Sequence, residues 1–396
     1  MNNYNFDEVR SRKNTRSQKW DGTKRVFFKR TSNLLPLYVA DMDFPSPRPI
    51  IDAIIKRAKH EFFGYTILPT EYYEATINWF KRRHEWEIDE SWILYTPGVI
   101  PALNIAVQTY CKPGDKILLS TPFYPPFSDA IRNNKCRRIL NPLKLSTEKG
   151  KYERDFEDFR TQAKDPDVKL FILCSPHNPT GRVWTREELT QLGEICIENN
   201  ILILSDEIHC DLIYPGHKHV PFASISEKFA QNSIICTSPS KTFNIPSMEV
   251  ANIIIPNSKL KNKFIHTQQR NAITKPNCFA SHSLEAAYNE SEEWLDELLV
   301  YLKKNLEFLK EFIKKNMPKV EVIEPEGTFL VWLDFRKYGL DSRELSKILL
   351  EGAEVALFEG WLFGKAGKGF ERINIGCPRS ILEEALNRIA KAFKTI

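Results

Sequence analysis

Five short, almost continuously apolar runs in the middle of the chain constrain its fold more than any other feature. They are KILLS at 116–120, VKLFILC at 168–174, NILILS at 200–205, SIICTS at 233–238 and ANIII at 251–255. Strands without polar alternation are typical of a parallel sheet that helices cover on both faces. A helical pattern over 186–199 separates two of the runs. Thr185 and Glu188 form a capping box at its N-terminus. This alternation predicts an α/β fold.

The last hundred residues follow another pattern, which predicts a smaller α+β domain. Apolar residues over 295–313 recur every three or four positions, as on one side of a long amphipathic helix that Ser291 would cap. The run 328–335 predicts a strand, and Ser380 with Glu383 predicts a capping box for a final helix. We therefore expect an N-terminal arm with part of the small domain at 1–45, a large domain at 46–285 and the small domain at 286–396.

Length and composition exclude several classes of protein. A chain of 396 residues can bury a large core without disulfides or metal, and its eight cysteines form no C-x-x-C pair, so no metal site is expected. No apolar stretch approaches the roughly 20 residues of a membrane helix, and the N-terminus lacks a signal-peptide pattern. We expect a cytoplasmic protein without a membrane partner. A formal net charge of +5 does not indicate a nucleic-acid partner, and the basic segment 10–30 is better interpreted as an ordered entry segment with solvated charges.

Polar clusters follow three of the apolar runs, where each predicted strand ends. They are SPHNPTG at 175–181, SDEIH at 205–209 and SPSK at 238–241. Because ligands bind beyond the carboxyl ends of parallel strands, we expect the clusters to converge on one site. A fourth element, TPGVIPAL at 96–103, predicts a helix start whose free N–H groups suit a phosphate.

Ordered motifs extend through nearly the whole chain. They are KWD (19–21), VADMDF (39–44), FGYT (63–66), TPGVIPAL (96–103), FYPPF (123–127), SPHNPTGR (175–182), SDEIHCDL (205–212), SPSKTFN (238–244), PEGTF (325–329) and RINIGCPR (372–379). Together they resemble the fold-type I class I/II aminotransferase superfamily, which depends on pyridoxal 5′-phosphate (PLP). Within it they resemble most the MalY/PatB-type cystathionine β-lyases, or C–S lyases. The resemblance implies a large α/β domain with a mostly parallel sheet and a smaller C-terminal α+β domain.

The resemblance also implies roles for residues of the clusters. Lys241 corresponds to the lysine that holds the coenzyme aldehyde covalently and then acts as the base at the substrate Cα. Asp206 corresponds to the acid that keeps the pyridine nitrogen protonated. Asn178 would hydrogen-bond the phenolic oxygen, and Tyr124 would stack on the ring and take part in catalysis. Arg372 corresponds to the arginine that binds the substrate α-carboxylate, with Tyr124 and Asn178 beside it.

Further residues complete the implied coenzyme site. The phosphate would be bound by backbone amides and hydroxyls of Val99, Ile100, Ser238 and Ser240. Tyr65 would reach the phosphate from a neighbouring subunit, which implies a homodimer. His209 stands where aminotransferases commonly have a tyrosine, as it does in the lyase branch. Glu249 stands where aminotransferases often have a phosphate-binding arginine, and an acid there is unfavourable unless it points away.

The lyase branch implies α,β-elimination, in which L-cystathionine or a related cysteine S-conjugate gives a thiol, pyruvate and ammonia. The chemistry of the residues alone does not separate elimination from transamination. A PLP-dependent aminotransferase of aromatic or neutral amino acids therefore remains an alternative. A regulator that binds a transcription factor on the same fold is an alternative of another class.

Overall fold

The computed structural model describes residues 4–27, 33–146 and 148–394. The helices are α1 (Thr23–Val26), α2 (Arg48–Ala58), α3 (Thr70–His84), α4 (Val99–Tyr110), α5 (Pro125–Asn133), α6 (Phe156–Ala163), α7 (Arg186–Glu198), α8 (Glu227–Gln231), α9 (Pro239–Thr242), α10 (Ser258–Arg270), α11 (Ala280–Glu290), α12 (Glu292–Asn316), α13 (Ser342–Lys347) and α14 (Arg379–Phe393). The strands are β1 (Leu35–Pro36), β2 (Ile93–Thr96), β3 (Lys116–Thr121), β4 (Arg137–Pro142), β5 (Lys144–Ser146), β6 (Lys151–Glu153), β7 (Val168–Cys174), β8 (Leu202–Asp206), β9 (Ser233–Thr237), β10 (Ala251–Ile254), β11 (Glu321–Val322), β12 (Leu330–Asp334), β13 (Val355–Ala356), β14 (Phe358–Glu359) and β15 (Phe370–Asn374).

A seven-stranded sheet in the order β2-β10-β9-β8-β7-β3-β4 contains all five apolar runs. The neighbours from β9 to β4 pair in parallel, which confirms the predicted mostly parallel sheet. Strand β10 is the exception and pairs antiparallel with both β9 and β2. Its direction follows from its connection, because the segment between β9 and β10 contains only the four-residue helix α9 and the short turn Pro246–Met248. A parallel return needs a longer crossover, usually with a full helix.

A second, antiparallel sheet of four strands, β11-β12-β15-β14, lies in the C-terminal part of the chain. The N-terminal segment joins this part, because β1 pairs in parallel with β13, with Leu35 opposite Val355. This pairing accords with assigning part of the N-terminus to the small domain. The domain boundaries themselves stay a prediction. In the part of the chain that the structure describes, no helix has the length and hydropathy needed to cross a membrane.

The predicted helix caps were right at one position and wrong at two. The capping box at Thr185 is present at the start of α7. Ser291 does not cap α12; its hydroxyl donates instead to the carbonyl of Ala286 at 2.9 Å, at the end of α11. Helix α14 begins at Arg379, so Ser380 lies inside its first turn and cannot be the cap. The first error concerns the partner of the Ser291 hydroxyl, since α12 does begin directly after Ser291, whereas the second concerns the position at which α14 begins.

Candidate active site

The three polar clusters meet at the carboxyl edge of β7, β8 and β9. Asp206 ends β8 and lies opposite Cys174, the last residue of β7, so Asn178 follows directly beyond the same edge. Lys241 lies in α9, just after β9 ends. Arg372 comes from the other sheet and donates from Nη1 to Asn178 Oδ1 at 2.9 Å. The structure therefore brings together the four residues that the motifs had placed in one site.

The Lys241 amine is held by the backbone and has a lowered pKa. Its Nζ donates to the carbonyl of Ala40 at 2.6 Å. Burial, together with the nearby charge of Arg372, lowers the pKa of Lys241 to about 8, against the opposing effects of Asp41 and Asp206. The neutral fraction of this amine near pH 7 is therefore larger than that of an ordinary lysine. The neutral amine is the form that adds to an aldehyde.

Asp206 is a buried acid that has no basic partner. It is 5% exposed, and its Oδ1 accepts a hydrogen bond from the backbone N–H of Ile208 at 3.1 Å. Burial raises the pKa of Asp206 to about 7. Among the described residues, no lysine, arginine or histidine nitrogen lies within ion-pair distance of this carboxyl. A cationic group on a ligand would supply the missing partner.

Arg372 is the opposite case, a buried cation without an acid. It is 1% exposed and donates to two neutral oxygens, Asn178 Oδ1 and the carbonyl of Tyr38 at 3.0 Å, while its Nε has no partner. Burial lowers the pKa of Arg372 to about 10. No carboxylate within the described ranges lies at ion-pair distance. The two groups thus suit a ligand that carries an anionic group at Arg372 and a cationic group at Asp206.

A buried histidine and a half-buried tyrosine add neutral polar groups. His209 has no hydrogen-bond partner at Nδ1, and burial together with the charges of Lys241 and Arg372 lowers its pKa to about 3. Its imidazole is therefore neutral. Tyr124 precedes α5, and burial raises the pKa of its hydroxyl, against the opposing effect of Arg372. His209 therefore lies near Lys241 and Arg372, and Tyr124 lies near Arg372 and Asp206.

The predicted phosphate-binding groups lie at two helix starts. Val99 and Ile100 are the first two residues of α4, where backbone amides have no acceptor within the helix. Ser238 caps α9: its Oγ accepts from the N–H of Ser240 at 3.0 Å and donates to the carbonyl of Val250 at 2.6 Å. Because this bond uses the one hydroxyl proton of Ser238, the Ser240 hydroxyl is the donor in the 2.5 Å contact between the two hydroxyls.

Tyr65 is not joined to the site within one chain. Its side chain is 96% exposed, and its ring contacts only the ammonium of Lys275, at 4.5 Å, among the interactions in the described part of the chain. It belongs to an exposed apolar run with Phe62, Phe63 and Ile67. Its predicted role therefore depends on a second copy of the chain.

Glu249 has an exposed side chain, which removes the conflict expected from its position in the sequence. Its backbone adopts a left-handed conformation, with φ 51°, at the end of the turn Pro246–Met248. Its carbonyl accepts a hydrogen bond from the Tyr95 hydroxyl at 2.9 Å. The backbone of Glu249 is thus fixed in the protein while its carboxylate lies in solvent.

The sequence did not predict the buried acid Asp211, which lies five positions after Asp206. Its carboxylate accepts hydrogen bonds from Trp79 Nε1 at 3.1 Å, His84 Nε2 at 2.7 Å and Thr242 Oγ1 at 2.7 Å. His84, Cys210 and Asp211 bring metal-ligating atoms close together, but these hydrogen bonds engage the carboxylate and the imidazole. Because Thr242 directly follows Lys241, we assign Asp211 to the support of α9. Only contacts with residues 31 to 132 positions away could have indicated it.

Comparison with known proteins identifies the family. Residues 32–389 match the family described as Aminotransferase class I and II. The chain belongs to this family. Among curated relatives of this aminotransferase-family protein, the cystathionine beta-lyase PatB of Bacillus subtilis is 43% identical over 388 residues, which are 98% of this chain and 99% of that protein. The resemblance inferred from the motifs is confirmed.

Solved structures of the class I and II family agree with the fold. A PLP-bound putative aminotransferase from Clostridium difficile 630 has a TM-score of 0.96 and 45% identity, covering 98% of this chain and 100% of that one. A PLP-bound C–S lyase from Staphylococcus hominis has a TM-score of 0.92 and 35% identity, covering 98% of both chains. The predicted fold-type I architecture is therefore confirmed.

Proposed function

We propose that this protein is a PLP-dependent carbon–sulfur β-lyase, which cleaves L-cystathionine or a related cysteine S-conjugate by α,β-elimination. From cystathionine the products are homocysteine, pyruvate and ammonia. The observation that carries the proposal is the pair of buried ionisable groups near the Lys241 amine, Asp206 and Arg372, neither of which has an ion-pair partner among the described residues. The motifs predicted this activity, and the relatives confirm it at the level of a PLP-dependent C–S β-lyase.

The residues present fit PLP. Lys241 would take the aldehyde, Asp206 the pyridine nitrogen, Asn178 the phenolic oxygen and the first turn of α4 the phosphate. The buried carboxyl of Asp206 has no ion-pair partner among the described residues, and Nδ1 of His209 has no hydrogen-bond partner among them; such a ligand would satisfy both groups. When bound, PLP holds the substrate amine and draws electrons away from the substrate Cα–H bond.

The side chains of the protein supply binding and proton transfer. Ionised Asp206 holds the proton on the pyridine nitrogen, and the guanidinium of Arg372 binds the substrate carboxylate. Lys241 Nζ removes the Cα proton, and the C–S bond then breaks with its electron pair leaving on sulfur. The protonated Lys241 amine, or the Tyr124 hydroxyl, returns a proton to that sulfur. Water hydrolyses the released enamine to pyruvate and ammonia.

We also propose that the active unit is a homodimer. The segment between α2 and α3 exposes Phe62, Phe63, Tyr65 and Ile67 in close succession. A contiguous exposed apolar run of this kind favours a protein interface. A second copy that covers it would carry Tyr65 to the phosphate end of the neighbouring site, as the resemblance implies. A cytoplasmic location and the regulatory alternative stay predictions from the sequence.

The function is tested by incubating the PLP-loaded protein with cystathionine and no keto acid. We expect thiol and pyruvate in equal amounts over many turnovers, because elimination regenerates the coenzyme. An aminotransferase, the alternative that the family and one solved relative favour, would instead stop after one turnover. Activity that resumes only when a keto acid is added would contradict the lyase proposal.

Arg372→Lys is expected to raise KM for cystathionine about 100-fold and to change kcat less. Lysine keeps the charge but loses the planar, two-pronged contact with a carboxylate, and a buried charged pair that loses its geometry costs about 3 kcal/mol. Steady-state kinetics measure both constants. Arg379→Lys is the matched control, because Arg379 Nε donates to Asn305 Oδ1 in the same part of the chain. A similar rise in KM for the control would contradict the assignment.

A further inference from the structure

The N-terminal part of the chain contains a completely buried lysine that the proposed mechanism does not use. Lys19, in the motif KWD, is 0% exposed, and its Nζ lies 2.7 Å from Asp43 Oδ2. Trp20 Nε1 donates to Asp43 Oδ1 at 2.8 Å. Arg12 binds two acids, Asp41 Oδ2 at 2.7 Å and Asp43 Oδ1 at 2.8 Å. We call these five residues the arm cluster.

The cluster is an exception within the basic segment, where Arg10, Lys13, Arg16 and Arg25 are exposed as expected for solvated charges. Lys19 is buried, and the Arg12 side chain is only 28% exposed. Burial alone would lower the pKa of Arg12, because it disfavours the charged guanidinium. The hydrogen bonds and ion pairs with Asp41 and Asp43 outweigh this effect and raise the pKa. Both cations are therefore engaged within the protein, which leaves them unable to bind a nucleic acid without breaking the cluster.

The two acids of the cluster belong to a segment, 38–44, whose backbone contacts the active site. The carbonyl of Tyr38 accepts a hydrogen bond from Arg372 Nη2 at 3.0 Å. The carbonyl of Ala40 accepts from Lys241 Nζ at 2.6 Å. One short segment thus contacts the proposed carboxylate-binding group and the proposed base.

Two asparagines bind the same segment, one at the end of β15 and one in the turn after α9. Asn374, at the end of β15, donates to the carbonyls of Val39 at 2.7 Å and Asp41 at 2.6 Å. Asn244, three residues after Lys241, accepts from the N–H of Met42 at 2.9 Å and donates back to its carbonyl at 2.9 Å. The backbone of 38–44 therefore connects the elements that carry Arg372 and Lys241.

The segment has no helix or strand of its own, so its position depends on such contacts. A buried ion pair adds little net stability, because desolvation offsets the attraction, but it fixes one arrangement of the chain. Removing Lys19 would leave the buried carboxylate of Asp43 with one cation fewer. The segment would then relieve that charge by moving toward solvent, and the two carbonyls would move with it.

We propose that Lys19 and Arg12 are positioning residues for the active site: by binding Asp41 and Asp43 they hold the 38–44 segment so that its carbonyls orient Arg372 and Lys241. This inference rests on the proposed function, because that function gives Arg372 and Lys241 their roles. It gives the KWD motif a role that does not involve direct contact with the coenzyme or the substrate.

The test compares PLP-loaded Lys19→Met, Arg12→Gln and Arg12→Lys with wild type. Arg10→Gln is the matched control, because Arg10 lies on the same arm in an exposed ion pair with Glu8. We expect Lys19→Met and Arg12→Gln to raise KM for cystathionine about tenfold, as the loss of one hydrogen bond to a charged group does. Arg12→Lys keeps the positive charge and should therefore have a KM close to that of wild type. Arg10→Gln should match wild type.

Inhibition separates positioning from general loosening of the fold. L-Alanine carries the carboxylate that Arg372 would bind, whereas ethylamine lacks it. We expect Lys19→Met and Arg12→Gln to weaken inhibition by L-alanine about tenfold and to leave inhibition by ethylamine within about twofold. Equal weakening of both inhibitors, or no weakening of either, would overturn the proposal. If Lys19→Met does not fold, as judged by circular dichroism, Arg12→Gln decides alone.

Limited trypsin digestion of the coenzyme-free chain gives a readout that does not depend on the proposed function. Faster cleavage within residues 10–25 of Arg12→Gln than of Arg10→Gln is expected if the cluster holds the segment. Equal rates would overturn the proposal. Wild-type protein that takes up no PLP, or that cleaves no cystathionine, would refute the function instead, and the digestion would still report on the cluster.

Discussion

Lys241→Ala is expected to lower turnover of cystathionine by about 10⁴-fold or more. The substitution removes both the amine that would hold the coenzyme and the base at the substrate Cα, and a positioned base alone contributes up to about 10⁴-fold. Its environment supports this role, because the amine is buried, has a pKa lowered to about 8 and contacts a backbone carbonyl rather than an acid. Steady-state assays and the mass of the borohydride-reduced protein measure the two losses separately.

The control for this substitution is Lys228→Ala. Lys228 is an exposed lysine of α8 that pairs with Glu194, and its removal should leave turnover and labelling unchanged. After borohydride reduction, wild type should carry one reduced coenzyme on the peptide that contains Lys241. Labelling of another lysine in wild type, or persistent turnover in Lys241→Ala, would refute the assignment of the reactive amine.

Asp206→Asn is expected to lower kcat about 10³-fold. This is the upper end of the range for the loss of one preorganised group that stabilises charge in the transition state. Asparagine has nearly the same shape and can still accept the hydrogen bond from Ile208, but it cannot hold a proton on the pyridine nitrogen by charge. Asp206→Glu is the charge-preserving comparison and should retain more activity than Asp206→Asn. Equal activity of the two variants would contradict the role of the charge.

The same substitution should stabilise the coenzyme-free protein. The folded pKa of Asp206 is about 7 and its unfolded pKa is about 3.9, so the folded chain binds the extra proton between these values. This difference lowers the free energy of unfolding of the wild-type chain progressively as the pH rises from about 4 to about 7, and the loss is complete above about pH 7. Thermal unfolding at pH 8 without PLP should therefore give a higher Tm for Asp206→Asn than for wild type. A lower Tm would show that the carboxylate has a partner within the protein.

Local patterns were sufficient to predict the elements that carry the site. The apolar runs became strands because side chains buried on both faces of a sheet leave little room for polar residues, and the polar residues therefore collect just past the strand ends. The capping box at Thr185 was predicted because its two hydrogen bonds span only three residues. The cap expected at Ser291 failed because its hydroxyl donates to the preceding helix instead.

Contacts between distant residues could not be predicted in this way. Arg372 and Tyr38 are 334 positions apart, and neither side of that hydrogen bond has a local signature. Lys19 was interpreted as a solvated charge, since basic segments usually are, and only its enclosure with Asp43 shows otherwise. Asp211 likewise acquires its role from His84 and Thr242, which lie on other elements.

The sequence by itself therefore determined the α/β class, the strands, the clusters at their ends and the membership of the aminotransferase family. Each of these depends on the identity and spacing of neighbouring residues. Only the tertiary structure decided that Asp206 and Arg372 lack charged partners in the described chain, and that the 38–44 segment joins Arg372 to Lys241. Burial and charge pairing depend on which remote segments enclose a group, and these quantities set the pKa of the Lys241 amine.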